Sequence, residues 1–373
     1  MKIAVITILD YSNYGNRLQN VAVEKLLQYF NYETVTLQIH SRKFEKKGNS
    51  LKYILKKILP FFIYKILKQK NEAKVQKNSD VLEQQRSKNF SEFSIRYINL
   101  KEEIWFDKDI SEVLNPDDFT YFITGSDQVW NPDFAGNDLY FLTFVKHEKR
   151  IALAASIGYE ELDESLKEYY TDRLNQMNYI SVREKSAVNL IRELTKREVD
   201  LMIDPTLVVD RSYWLSIMER PKLDFQKQYI LSFFLGEEAG KEIEIISKTC
   251  NLPVIHMNQK RFAEWYTLSP SQFLYMVKHA EYVLTDSFHA VAFSIQFNTS
   301  FYVFQRKDKV LKNMFSRMES LLEIFELQER IYDSVINGKL EKIEKSKWEN
   351  VNQELLNQRK LTHKNLSKVL KSK

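Results

Sequence analysis

The sequence predicts an α/β protein of two Rossmann-like domains facing a cleft. Short apolar runs recur along the chain, and most end in Gly, Ser, Thr or Asp, as parallel strands do where they hand over to helices. Segments of helical period separate these runs, so the order is β–α–β rather than a series of hairpins. The 373 residues suffice for two cores, and the alternation restarts near residue 229. The expected domains are residues 1–207, with a basic helical insertion near 41–90, and residues 208–373, which end in helices.

In the first half, residues 3–9 read as a buried strand, and residues 10–16 (DYSNYGN) as a polar, turn-prone loop. Leu18, Val21, Leu26 and Leu27 recur near helical spacing over residues 17–30, and residues 34–39 return as a strand. This opening has one glycine, Gly15, where a dinucleotide site needs G-x-G-x-x-G. Residues 51–68 alternate apolar clusters with lysines, and Pro60 splits or kinks that run. Residues 69–90 read as a solvated, charged helix. The strand at 121–124 runs into Gly125-Ser126-Asp127-Gln128-Val129-Trp130. Trp130 offers a flat face of the kind on which sugar rings stack, or else a plain core aromatic. Strands over 151–155, 179–182 and 199–203 follow, with a helix from Lys185 to Leu194 between the last two.

The second half begins with a strand at 229–234. Its loop has three residues between Gly236 and Gly240, and Glu242 follows Lys241, which excludes a P-loop ATPase. Residues 253–257 read as a strand, and Ser269-Pro270-Ser271 caps a helix ending at His279. Strands over 282–284 and 301–304 complete the set, and residues 309–373 read as helices. Two such halves meeting near 204–225 give a glycosyltransferase-B-like layout, with one ligand loop on each wall.

The stretch 281–297 (EYVLTDSFHAVAFSIQF) carries the most chemistry. An apolar strand ends in Thr285-Asp286-Ser287, and Phe288-His289 opens a helix. In a parallel sheet this places His289 at the carboxyl edge, where open α/β proteins bind ligands. The adjoining helix N-terminus offers N–H groups and a positive dipole end to an anion. The functional reading is an anionic substrate beside a proton-transferring histidine; the structural one is a buried histidine at an ordinary strand–helix junction.

Composition narrows the function classes. Apolar residues make up 44% and charged residues 28%, as in soluble globular proteins. The single Cys250 excludes an intrachain disulfide and fits a reducing cytoplasm. The first ten residues lack a signal-peptide pattern, and no 18-residue apolar run is free of charge, so a cytoplasmic protein is expected. The net charge of +5 is unevenly placed. Residues 41–75 hold eleven Lys/Arg against two Glu, a local +9, which leaves −4 for the rest. A basic surface general enough for nucleic acid is therefore not expected. Residues 51–68 instead suit peripheral contact with an anionic membrane, or plain packing with solvated lysines. No cofactor motif appears, and His40, His147, His256, His279, His289 and His363 show no metal-ligand spacing.

Five blocks, in order, resemble the polysaccharide pyruvyl transferase family. They are Asn13-Tyr14-Gly15 with Gln19, Gly125-Ser126-Asp127-Gln128-Val129-Trp130-Asn131, Ile180-Ser181-Val182-Arg183-Glu184, Asp204-Pro205-Thr206, and Asp286-Ser287-Phe288-His289-Ala290. The resemblance implies transfer of pyruvate from phosphoenolpyruvate to two hydroxyls of a sugar or lipid-linked saccharide, as a ketal of a cell-surface polysaccharide. It implies that His289 protonates the enol methylene, a task suited to a side chain that changes charge near neutral pH. It implies that Arg183 binds carboxylate or phosphate bidentately, the alternative being a salt bridge to an acid such as Glu184. Asp127 would orient or deprotonate a sugar hydroxyl, or cap a turn. Asn13, Tyr14, Gly15, Gly125, Ser126, Trp130 and Ser287 are the other expected binding positions. Ser287 stands where many members carry arginine, and Ala290 where they carry glycine. Two readings therefore stay open beside this one: a glycosyltransferase using a nucleotide-activated sugar, and a glycan-binding protein without catalysis.

Overall fold

The computed structural model describes residues 1–40, 64–105, 110, 113–133, 138–306, 315–333 and 338–370. Two fully parallel sheets carry the architecture. The first has strands β1 (Lys2–Ile6), β2 (Glu33–His40), β3 (Leu100–Trp105), β4 (Tyr121–Thr124), β5 (Arg150–Ala155), β6 (Tyr179–Val182) and β7 (Asp200–Leu201), in the order 3-2-1-4-5-6-7. The second has β8 (Ile230–Phe233), β9 (Val254–Met257), β10 (Tyr282–Thr285) and β11 (Phe301–Val303), in the order 11-10-8-9. These are the two α/β halves expected from the strand texture.

Strand order fixes where ligands can sit. The chain reverses direction across the first sheet between β1 and β4, which pair from Ile3 with Tyr121 to Ile6 with Thr124. It reverses across the second between β8 and β10, paired from Ile230 with Tyr282 to Phe233 with Thr285. At such switch points the loops diverge to opposite faces and open a crevice at the carboxyl edge. The loop holding Asn13 follows β1, Gly125-Ser126-Asp127 follows β4, and Asp286 to His289 follow β10.

A shared core locks the halves together. The helix Tyr14–Gln28 is buried along almost its whole length, because it lies against the first sheet and also meets elements of the second half. Tyr14 stacks on Phe273 at 4.7 Å, touches Phe90 and Phe233, and donates its hydroxyl to the Leu268 carbonyl at 2.9 Å. The last helix, Lys345–Val369, returns to the first half. Its His363 meets Tyr29 and Phe30, and Arg359 donates to the Leu207 carbonyl at 2.9 Å.

Two expectations change. The edge strand β3 has no counterpart in the sequence reading, because Lys101, Glu102 and Glu103 break any apolar run; an edge tolerates such charges. The helix Tyr64–Tyr97 is not solvated throughout. Near its end Arg86, Phe90 and Phe93 are buried, and Arg86 donates to the carbonyls of Ser12 at 2.6 Å and Tyr266 at 2.5 Å. That helix therefore ties the loop after β1 to the second half. Residues 51–63 of the expected basic segment lie outside the described residues. Among the described residues no helix is long and apolar enough to cross a membrane.

Candidate active site

His289 is the second residue of the helix Phe288–Phe297, which starts directly beyond β10. Its ring lies against Gly15. A Cβ at Gly15 would stand 2.0 Å from Nδ1 and 2.3 Å from Cγ, so any side chain there would displace the imidazole. This is why the motif needs glycine: the demand is close approach, not backbone conformation. On its other side, Nε2 lies 3.7 Å from Asp204 Oδ2. That is an electrostatic contact rather than a hydrogen bond, and among the described residues the buried Nε2 has no hydrogen-bond partner.

Asp204 is the hub of the cluster. It caps the short helix Pro205–Val208 through Oδ1, which accepts from the Thr206 N–H at 3.0 Å and its hydroxyl at 2.8 Å. Its Oδ2 accepts from the Ser126 hydroxyl at 2.9 Å and from Arg183 at 2.6 Å. Burial pushes the carboxyl toward protonation, but His289, Arg183 and Thr206 outweigh it and hold the acid far below the usual carboxylate range. The functional block after β7 was visible as a motif, yet Asp204 was not among the expected site residues.

Arg183 follows β6 and is wholly buried. Its second terminal nitrogen lies 3.4 Å from Asp127 Oδ1. Both terminal nitrogens of the guanidinium thus face carboxylates of the first half, while its buried Nε has no hydrogen-bond partner among the described residues. Nor is Glu184 its salt-bridge partner. Glu184 turns away and accepts from the Ser156 hydroxyl and the N–H groups of Ile157 and Gly158. Asp127 takes the Asn16 amide on Oδ2 at 2.8 Å and the Gln128 N–H on Oδ1 at 2.9 Å. Burial raises its pKa, but Arg183, His289 and Asn16 prevail and bring it below the ordinary value.

The remaining expected residues divide into frame and core. Gly125 has φ +114°, and a Cβ would meet the Leu153 carbonyl at 2.2 Å, so only glycine fits there. Ser126 gives its N–H to Gln19 at 3.0 Å, which joins the first and second motif blocks. Asn13 caps the helix Tyr14–Gln28, accepting from the Asn16 N–H. Tyr14 is the wedge between the halves described above. Ser287 is the N-cap of the His289 helix and donates its N–H to the Thr285 hydroxyl at 3.0 Å. Trp130 corrects the stacking expectation. It is fully buried, lies parallel to Phe141 at 5.5 Å and donates to the Tyr140 carbonyl, so it has no face for a sugar ring.

Three arginines near the cluster escaped the sequence reading. Arg17 is buried one helical step from Asn16, to which it donates at 2.6 Å, and burial pushes its pKa down to about 10 against Tyr11, Asp10 and Asp127. Arg306 and Arg317 line a cavity of about 250 Å³ together with Phe288, Asp286 and Ser316. Arg306 pairs with Asp286 at 2.8 Å, and Asp286 also accepts from the N–H groups of Leu235 and Gly236. Arg306 lies in irregular chain after β11 and Arg317 in the first turn of the helix Ser316–Ile324, positions that no motif marks.

The family model described as polysaccharide pyruvyl transferase matches residues 13–308. No curated protein matches the chain significantly. Among solved structures, the chain is similar to the UDP-GlcNAc 2-epimerase from Methanocaldococcus jannaschii, at 12% identity and a TM-score of 0.47, covering 97% of this chain and 100% of that one. It is also similar to a glycosyltransferase from Rickettsia africae ESF-5, at 10% identity and a TM-score of 0.48, covering 100% and 99%. The matched span begins at Asn13, runs past His289 and takes in every block of the cluster: this chain belongs to the polysaccharide pyruvyl transferase family of transferases.

Proposed function

We propose that this protein transfers a pyruvyl unit from phosphoenolpyruvate to two hydroxyls of a sugar, forming a cyclic ketal in cell-surface polysaccharide assembly. The observation that carries this reading is the setting of His289, seated on Gly15 of the first half with its Nε2 facing the Asp204 carboxylate. A ring held in this position, facing a carboxylate at the carboxyl edge of both sheets, is placed to act as a general acid.

His289 delivers a proton to the enol methylene, which becomes the methyl group. The adjoining carbon turns electrophilic and takes one sugar hydroxyl. The C–O bond to phosphate then breaks, and the second hydroxyl closes the ketal. Two hydroxyl protons are released; one replaces the proton given to the methyl group and the other leaves with phosphate. Asp127 is held ionised by its neighbours, so it suits orienting a hydroxyl better than removing its proton. Arg183 acts as a positioning residue that holds Asp127 and Asp204 in place. The cavity of about 250 Å³ beside Phe288 lies below the usual range of ligand pockets and favours a small phosphorylated acid over a nucleotide-activated sugar.

Incubation with phosphoenolpyruvate and a panel of saccharide acceptors should release inorganic phosphate only when both are present. Release of nucleotide from an activated sugar, with no phosphate from phosphoenolpyruvate, would overturn the reading. The proposal extends to a cytoplasmic enzyme whose basic segment around residues 51–68 rests on an anionic membrane face, supported by the local charge of +9 over residues 41–75. Deleting residues 51–68 should then abolish sedimentation with phosphatidylserine vesicles at low salt. An intact protein that does not sediment with them refutes the membrane contact.

A further inference from the structure

We infer that the cavity between Phe288 and the segment Phe315–Glu319 seats the phosphate of a small phosphorylated acid, with Arg317 as its principal cationic partner and Arg306 as a second. This rests on the donor reading above and specifies where that donor's most charged end lies.

The first support is place. The cavity shares Phe288 with the catalytic cluster: the ring lies 5.3 Å from that of His289, and the Arg183 guanidinium sits over it at 4.7 Å. The Arg317 guanidinium approaches the same ring at 5.8 Å. A ligand in the cavity is thus one side chain away from the proposed acid.

The second support is uncompensated charge. Three guanidiniums converge here. Arg183 has Asp204 and Asp127, and Arg306 has Asp286. Among the described residues Arg317 has no ion pair and no hydrogen bond; Asp127 and Glu184 act on it only at a distance. It is half-buried, and Arg183 and Arg306 repel it. A desolvated cation without a partner is costly unless an anion completes it. Glu160 and Glu319 also line the cavity, but both are exposed, where water and salt screen them. Asp286 is already occupied by Arg306 and two backbone N–H groups.

The third support is the departure at position 287. Ser287, one residue before Phe288, brings no charge to this turn, and its side chain makes no cap bond. Arg317 brings a guanidinium to the neighbouring ring from the later helix Ser316–Ile324. A guanidinium is well suited to phosphate because it presents parallel donors.

The test is equilibrium binding of inorganic phosphate and of phosphoenolpyruvate to the full chain by calorimetry at low ionic strength. Arg317→Ala should weaken both ligands by about tenfold or more, and Arg317→Lys by less. In turnover, Arg317→Ala should raise KM for phosphoenolpyruvate more than it lowers kcat. If Arg317→Ala does not fold, Arg317→Gln supplies the same comparison. Unchanged affinity for phosphoenolpyruvate in the variant overturns the site and leaves the donor reading standing. Binding of phosphate but not phosphoenolpyruvate, lost in the variant, supports the site and overturns the donor. A wild-type chain that binds neither probe overturns both.

Discussion

His289→Ala should lower turnover by about 10²- to 10⁴-fold, the usual contribution of a positioned general acid, while the circular dichroism spectrum and melting transition stay close to wild type. The fold should survive because the imidazole is not a hub of hydrogen bonds. Its Nε2 has no hydrogen-bond partner among the described residues, and the helix it opens is held by other buried side chains, Val291, Phe293 and Ile295 among them. A companion variant separates position from presence. Gly15→Ala keeps the imidazole but drives a methyl group to within 2.0 Å of Nδ1, so the ring must move. Overpacking of this kind costs about 1–3 kcal/mol, and displacement of a catalytic group by about 1 Å costs on the order of 10²-fold in rate. Full activity in His289→Ala would remove the acid role. Full activity in Gly15→Ala alone would show that the ring has room the structure does not give it.

The largest effect on stability is expected at Asp204. Asp204→Ala should destabilise the protein by about 3–5 kcal/mol, because it leaves the wholly buried Arg183 without its nearest counter-charge and removes a helix cap. The pH dependence follows from the direction of the shift. The folded-state pKa of Asp204 lies below its unfolded value of about 3.9. Its contribution is therefore fully present above that value and is lost as the pH falls through the folded one. Urea unfolding at pH 7 should show the whole difference between wild type and variant, and the difference should shrink under strongly acid conditions. A gap that is constant from pH 7 into acid, or below about 1 kcal/mol at pH 7, would mean the ion pair contributes no net stability. Asp127, also depressed but partly open to solvent, should behave in the same sense with a smaller amplitude.

How much of this was written in local pattern can be judged from individual residues. The strands at 121–124 and 179–182 were readable to the residue, because both are short, apolar and bounded by turn formers. The helix cap at Ser269 was readable because its bonds are local, although its partner Gln272 in the capping box was not named from the sequence. β3 was not, since an edge strand can carry charges that hide its period. The burial of Arg86 and Phe90 was hidden for a different reason. Arg86 finds its partners, Ser12 and Tyr266, 74 and 180 residues away, and Phe90 packs on the distant Tyr14; spacing within a helix says nothing about what docks against it.

The same division runs through the site. Residue type and strand–turn–helix order were enough for the α/β class, for His289 at a carboxyl edge and for the glycines at 15 and 125. These depend on backbone geometry and on neighbours a few residues off. Only the folded chain decided that Gly15 is the seat of His289, that Arg183 pairs with Asp204 and Asp127, that Trp130 is core, and that Arg306 and Arg317 flank the cavity beside Phe288. Each of those facts joins residues far apart in sequence. Charge pairing and close packing act through space, so no local reading of residue order contains them.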